Sequence, residues 1–143
     1  MFKSVLIALN NSSLDGAIIA NAQQLILDPR AKVILAHVLP YSQDRADQDL
    51  SRPLSADIEL SNHQVEEHLR SLGEQFSHVN LGFEVVKGEP EVEIIRLAGI
   101  HKVDLIILGS RGLTGVDRIL ARSISSEVVE QAPCTVMVVK PEV

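Results

Sequence analysis

Five runs of apolar residues recur along this chain, separated by longer and more polar stretches. The runs are nearly continuous, as in Val5-Leu6-Ile7-Ala8-Leu9. Continuous aliphatic runs indicate strands covered on both faces of a parallel sheet. The third run is the most polar, which favours a place at the sheet edge. The predicted strands are Lys3–Leu9, Ala31–Val38, Leu81–Lys87, Val103–Leu108 and Thr135–Val139.

Between the strands, apolar positions recur with a helical period. The clearest case is Ala56–Phe76, whose large apolar residues fall on one face. The predicted helices are Leu14–Leu27, Ala56–Phe76, Glu91–His101 and Ser123–Gln131. Tyr41–Pro53 is polar and predicts a mobile excursion, and a short turn is predicted over Asp117–Ala121.

The alternation of strands and helices predicts the fold class. Strand, helix and strand in succession favour right-handed crossovers and parallel pairing. We therefore predict an α/β protein with a five-stranded, doubly wound, Rossmann-like parallel sheet and helices on both faces. Its 143 residues fit one domain, residues 1–143. The pattern alone leaves the strand order open.

Composition and charge limit the classes of function that this chain can have. Hydrophobic residues make up 45% of the chain and aromatic residues 3%, so the predicted core is aliphatic. A formal net charge of −6 argues against nucleic acid or an anionic membrane as partner. No apolar run reaches the roughly 18 residues of a membrane span. The single cysteine, Cys134, forms no internal disulfide and fits a buried strand position. These features predict a soluble, cytoplasmic protein.

One motif follows the fourth predicted strand. Gly109-Ser110-Arg111-Gly112 is followed by nine residues and then by Arg122-Ser123, where a helix is predicted to begin. A glycine loop and a helix N-terminus both present backbone N–H groups to an anion. The spacing indicates a phosphate-binding loop, and the alternative is a structural turn. Likewise Asn10, after the first strand, fits a ligand contact and a helix cap equally well.

Other chemistry has little support. Neither the Walker phosphate loop nor a G-x-G-x-x-G motif after the first strand is present. His63 and His68 are five positions apart, so they do not form an i, i+4 metal pair, and His37 fits a core position. No metal site and no catalytic constellation are predicted, and enzymatic activity is therefore not expected beyond slow hydrolysis of a bound nucleotide.

Several segments resemble the universal stress protein family. They are the first strand with Asn10-Asn11-Ser12, His37-Val38, Gly88-Glu89-Pro90, the stretch from Val103 to Gly112, and the closing stretch from Ala132 to Val139. The resemblance extends from residue 2 to about residue 140, and Asp104–Gly112 is its most specific part. It implies the strand order 3-2-1-4-5 and a homodimer formed through the last strand, Thr135–Val139. An apolar edge strand would otherwise invite aggregation.

The resemblance also implies a site for an adenine nucleotide, with ATP as the expected ligand and Mg²⁺ as its companion ion. The Val38 backbone would hydrogen-bond the adenine. The residues implied near the base and ribose are Ala8, Leu9, Asn10, Val38, Leu108 and Gly109. The residues implied around the phosphates are Arg111, Gly112, Arg122, Ser123, Ile124 and Ser125.

Two positions depart from the family's nucleotide-binding pattern. Asn10 stands where an aspartate is usual, so the amide can hydrogen-bond but brings no charge. Arg122 stands where the second motif has glycine, and a left-handed backbone there would cost roughly 1–2 kcal/mol. If the Arg122 guanidinium points into the site, it would either bind phosphate or occupy the space that the phosphates need.

These observations leave three hypotheses. The first is a homodimeric stress-response protein that binds an adenine nucleotide between strands one and four and presents a surface to an unknown protein partner. The second is a member of the family that binds no nucleotide because Arg122 closes the pocket, and acts through dimerisation and protein contacts. The third is an ATP-using enzyme, which ranks low because Asn10-Asn11-Ser12-Ser13 lacks basic and histidine residues.

Overall fold

The computed structural model describes residues 1–10, 12–25, 27–39, 54–76, 80–110 and 124–141. The five strands are β1 (Phe2–Leu9), β2 (Leu27–Leu39), β3 (Asn80–Lys87), β4 (Leu105–Gly109) and β5 (Thr135–Val139). Within these residues, the helices are α1 (Asp15–Gln23), α2 (Leu54–Gly73), α3 (Pro90–Ile100) and α4 (Ile124–Gln131). The predicted excursion over Tyr41–Pro53 and the predicted turn over Asp117–Ala121 lie outside the described residues.

The strands form one parallel sheet in the order β3-β2-β1-β4-β5, which confirms the predicted fold class and the implied order. β1 lies at the centre and pairs with β2 and β4, so its interior residues are shielded on both sides. Leu6 and Ile7 are both 0% exposed although their side chains point to opposite faces. Complete burial on two faces explains why the strand sequence is continuous rather than alternating.

Two hydrophobic cores cover the two faces. On the first face, Ile18 of α1 and Leu69 of α2 pack against Ile7 of β1. On the second face, Leu97 of α3 and Val128 of α4 pack against Leu6 of β1. We refer to these as the α1–α2 face and the α3–α4 face. Gly88 turns the chain from β3 into α3 with φ +156°, and a Cβ there would meet Glu93 Cγ at 2.8 Å. That turn therefore requires glycine.

One predicted boundary is wrong. The apolar period predicted a helix from Leu14 to Leu27, but α1 ends at Gln23 and β2 already begins at Leu27. Leu27 pairs with Phe2, and the register then shifts before Ser4 pairs with Lys32. The shift accommodates Pro29, which has no N–H for the ladder and fits only where a strand is irregular. The other elements differ from prediction only at their ends.

Candidate functional site

The strand order changes direction beside β1, and in open α/β sheets a reversal of this kind is where a crevice forms at the carboxyl edge. β2 and β3 lie on one side of β1, and β4 and β5 lie on the other. At such a point the loops that leave the two adjacent strands diverge to opposite faces. Asn10 follows β1 and Ser110 follows β4, so both predicted loops start from this edge.

Four of the predicted residues share one hydrophobic core at this edge. Val38 and Leu108 are buried in the core of the α3–α4 face, and Ala8 and Ile124 are partly exposed and pack against it. They come from β1, β2, β4 and α4, which are far apart in sequence. The structure therefore places all four in one apolar cluster, which we call the apolar wall.

Leu9 and Asn10 have different positions. The Leu9 side chain is buried in the core of the α1–α2 face, so only its backbone is available on the side of the apolar wall. Asn10 is exposed beyond the strand end. Its backbone N–H donates to Asp15 Oδ1 at 3.3 Å. The Ser12 hydroxyl accepts from the Leu14 N–H at 3.2 Å, which supports the turn before α1.

Gly109 allows α1 to approach the end of β4. A Cβ at this position would lie 2.5 Å from Leu14 Cδ2 and 3.2 Å from Ile18 Cδ1. Both distances are shorter than ordinary carbon–carbon contacts. A side chain here would displace the ends of Leu14 and Ile18, so packing favours glycine independently of a ligand.

The remaining predicted residues lie at or before α4. Ser125 is in its first turn and is buried, with 8% of its surface exposed. The N-terminus of α4 presents backbone N–H groups to anions, although Glu127 offsets part of this positive potential. Arg111, Gly112, Arg122 and Ser123 lie outside the described residues.

A cluster of two histidines and an aspartate lies behind the Asn10 loop, and no sequence motif indicated it. The Asp15 carboxylate is buried at 2% exposure, and its Oδ2 lies 3.2 Å from His68 Nε2 on α2. His37, at the end of β2, pairs in register with Leu9 and is 6% exposed. One signal was available: Asp15 precedes Ile18 and Ile19 by three and four positions, which places it on the apolar side of α1.

The His37 imidazole is only partly satisfied. It hydrogen-bonds the Leu9 backbone, and its Nδ1 has no partner among the described residues. Burial lowers the pKa of His37 from its ordinary value of 6.5, while the negative charge of Asp15 opposes this effect and His68 adds to it. His37 is therefore held in its neutral form. The expected core position is confirmed, although not every nitrogen is satisfied.

The other titratable groups of the described residues form no second site at the carboxyl edge. His63 lies 3.1 Å from Glu67 on the exposed side of α2. His101 contacts Glu84 and Lys32 at the opposite edge of the sheet, because β2 and β3 bring these distant residues beside it. Burial raises the pKa of the Cys134 thiol, which disfavours a reactive thiolate. Within the described ranges, no three metal-ligating side chains converge, and no helix combines the length and apolar character needed to cross a bilayer.

The sheet order defines a doubly wound α/β protein, and its candidate site is at the strand-order reversal. Comparison with known proteins gives the family. The sequence profile of the Universal stress protein family matches residues 1–140. The chain belongs to the universal stress protein family.

Individual relatives agree with this assignment. Universal stress protein Sll1388 of Synechocystis sp. is 26% identical over 97% of this chain and 98% of that protein. Universal stress protein MJ0531 of Methanocaldococcus jannaschii is 42% identical over 62 residues, which are 43% of this chain and only 36% of that protein.

Solved structures share the fold. The structure of hypothetical protein MJ0577 superposes with a TM-score of 0.78 at 24% identity, covering 100% of this chain and 99% of that chain. A universal stress protein family protein from Arabidopsis thaliana, solved with AMP bound, superposes with a TM-score of 0.63 at 18% identity, covering 98% of this chain and 92% of that chain.

The lowered pKa of His37 predicts a loss of stability in acid. Below about pH 6.5 the unfolded chain takes up a proton that the folded protein resists. The free energy of unfolding therefore decreases as the pH is lowered. One proton contributes at most about 1.4 kcal/mol per pH unit. We expect His37→Gln to show a smaller acid loss than wild type in urea unfolding at several pH values. His63→Gln, which alters an exposed histidine, is the control. Equal acid losses in wild type and His37→Gln would contradict this assignment.

Proposed function

We propose that this chain binds an adenine nucleotide in the crevice between β1 and β4. The observation that carries the proposal is the apolar wall of Ala8, Val38, Leu108 and Ile124. The exposed Asn10 follows Ala8 by two positions, just beyond the end of β1. A purine has apolar faces and a hydrogen-bonding rim, which suits an apolar wall bordered by backbone groups at strand ends. The AMP-bound Arabidopsis relative supports this class of ligand.

Each part of the nucleotide has a matching environment. The base would lie against the apolar wall and hydrogen-bond the Val38 backbone, while the Asn10 amide and Gly109 would lie near the ribose. The phosphates would lie at the N-terminus of α4, near Ser125, where backbone N–H groups favour anions. The glycine motif after β4 would complete the surroundings of the phosphates, through Arg111, Gly112, Arg122 and Ser123. We propose ATP as the ligand, with Mg²⁺ held mainly by the phosphates.

The consequence of binding would be regulatory. Occupied and empty crevices would present different surfaces to a protein partner, and slow hydrolysis is not required for this role. A cytoplasmic location stays a prediction of the sequence. In the competing hypothesis Arg122 fills the phosphate space, and the protein acts through dimerisation and protein contacts alone.

Titration of ¹⁵N-labelled protein with MgATP tests the binding proposal. We expect the largest amide shifts at Asn10, Gly109 and Ser125, because these residues surround the proposed crevice. Lys32 and Lys102, near the opposite edge of the sheet, serve as internal controls and should not move. Gly112→Val should abolish the shifts by adding a side chain in the glycine motif. Shifts confined to the opposite edge would contradict the proposed site.

Arg122→Gly separates the two hypotheses. If the guanidinium contributes to phosphate binding, this variant should bind ATP more weakly than wild type in calorimetric titration. If the variant binds ATP and the wild-type protein does not, Arg122 closes the pocket and the nucleotide proposal fails.

We further propose a homodimer formed through β5. β5 ends the sheet, and Thr135–Val139 contains no charged residue that would protect an open edge. The Val139 carbonyl accepts from the Ser110 N–H at 2.9 Å, so the polar backbone groups of Val139 face β4. The N–H and C=O groups of successive residues point to alternate sides of a strand. Those of Val138 therefore face the open edge.

This alternation predicts the effect of a proline. Val138→Pro removes an N–H that faces the open edge and leaves the hydrogen bonds to β4 intact, so it should convert the dimer into a folded monomer. Val138→Ala retains the N–H and should remain dimeric, although with some loss of stability. Sedimentation equilibrium measures both masses. A dimeric Val138→Pro variant, or a monomeric wild-type protein, would contradict dimerisation through β5.

A further inference from the structure

Near the edge of the sheet where β1 and β3 begin, three side chains are joined by hydrogen bonds. Lys32 Nζ lies 3.1 Å from His101 Nδ1, and His101 Nε2 lies 3.1 Å from Glu84 Oε1. Lys32 belongs to β2, Glu84 to β3, and His101 directly follows α3. The fold therefore brings together residues that are up to 69 positions apart. We call these three residues the lysine–histidine–glutamate triad.

The pleat of β2 and β3 explains why two of the triad residues meet on one face. Side chains two positions apart in a strand point to the same side of the sheet. Ile34, two positions after Lys32, is buried in the core of the α3–α4 face. Val86, two positions after Glu84, packs against the same core. Both triad residues therefore point to the face that α3 covers, and α3 ends beside them at Ile100.

The two contacts of His101 select one tautomer of its imidazole. A lysine ammonium group can only donate hydrogen bonds, so Nδ1 accepts from Lys32. A carboxylate can only accept, so Nε2 carries the proton and donates to Glu84. The neutral imidazole satisfies both contacts at once. Its Nδ1 lone pair is thereby directed at the lysine nitrogen, and the carboxylate holds the ring from the other side.

The lysine end of the triad is open to solvent. Lys32 is exposed, whereas the side chains of His101 and Glu84 are only 16% and 34% exposed. A reagent from solution can therefore reach the amine while the base stays in place. A nucleophile, a base within hydrogen-bonding distance and a third group that orients the base together form the usual arrangement of an activated nucleophile.

Positively charged side chains flank the triad along the chain. Arg30 precedes Lys32 by two positions, and Lys102 directly follows His101. Both residues are exposed. Positive charge at a surface attracts anionic reagents. Among activated acyl compounds, an acyl phosphate carries its negative charge on a small leaving group next to the reactive carbonyl, so it matches both the charge and the open access of this surface.

We propose that Lys32 is a site of acylation by an acyl phosphate, with His101 as the base and Glu84 as a positioning residue. The nitrogen electron pair of the neutral Lys32 amine forms a bond to the carbonyl carbon. The carbon–oxygen bond to the phosphate breaks, and the phosphate leaves with that electron pair. His101 Nδ1 takes the proton that Nζ loses and passes it to the released phosphate. Lys32 becomes an uncharged amide.

The other two structural features support the proton transfer step. The positive charge that forms on His101 during the reaction lies against the Glu84 carboxylate. It also lies at the C-terminal end of α3, where the helix dipole favours a cation. The triad lies at the edge opposite the proposed nucleotide site, so this inference does not depend on nucleotide binding.

Acetyl phosphate is the probe that tests the proposal. Mass spectrometry of peptides measures the initial rate of acetylation at each lysine of the folded protein. We expect Lys32 to react roughly tenfold faster than Lys102, less than the full effect of a base in an enzyme because the site is open to water. Lys102 is the matched internal control, since it is exposed and adjacent to His101. In urea-unfolded protein the two rates should become similar.

Three variants assign the preference to the triad. His101→Gln should lower the rate at Lys32 to that at Lys102, and imidazole added to His101→Ala should restore the rate at Lys32 selectively. Glu84→Gln should lower the rate at Lys32 by a smaller factor, because an amide still accepts from Nε2 but brings no charge. The rate at Lys102 should stay unchanged, which separates positioning from a general loss of structure. His63→Gln, on the exposed side of α2, should leave every rate unchanged.

Equal rates at Lys32 and Lys102 in the folded wild-type protein would overturn the proposal. An undiminished preference for Lys32 in His101→Gln would also overturn it, because exposure alone would then explain the reaction. A parallel reaction with acetyl coenzyme A tests the donor class: preferential modification of Lys32 by the thioester but not by acetyl phosphate would contradict the acyl phosphate assignment. None of these measurements involves a nucleotide, so the proposed nucleotide site stands or fails separately.

Discussion

The central constraint in this molecule is the burial of β1 on both faces. Leu6 and Ile7 are fully buried on opposite sides of the sheet, and β2 and β4 pair with the strand laterally. A strand in this position must be aliphatic throughout, and its parallel neighbours must end at the same edge. The crevice at the carboxyl ends, the approach of α1 to Gly109 and the turn at Asn10 all follow from this arrangement.

The local patterns predicted much of this architecture. β5 was predicted with its observed bounds, because an uninterrupted aliphatic run between Pro133 and Lys140 allows little choice. The strand order was available only through the family resemblance, since apolar patterns do not specify which strands are neighbours. The start of β2 was missed because Asp28-Pro29-Arg30 is typical of a loop, and only pairing of Leu27 with Phe2 brings this segment into the sheet.

The candidate site was predicted only in part. Ala8, Val38 and Leu108 end predicted parallel strands, so their convergence at one edge follows from the fold. The contacts of His101 with Glu84 and of His68 with Asp15 could not be predicted, because each joins side chains from elements whose spacing depends on tertiary packing. Gly109 shows a related difficulty: the motif indicated phosphate binding, whereas the close packing of α1 also favours glycine at this position. A glycine motif alone therefore cannot distinguish the two roles.

The loop after β1 joins the scaffold to the proposed activity. Its exposed Asn10 follows β1 directly, and the Asn10 backbone N–H donates to the buried Asp15 carboxylate. A crystal structure of the protein grown with AMP tests most directly whether an adenine nucleotide binds between β1 and β4. We expect electron density for the base against Ala8, Val38 and Leu108, with the phosphate near the N-terminus of α4. A nucleotide bound elsewhere, or a crevice filled by the Arg122 side chain in the presence of saturating AMP, would contradict it.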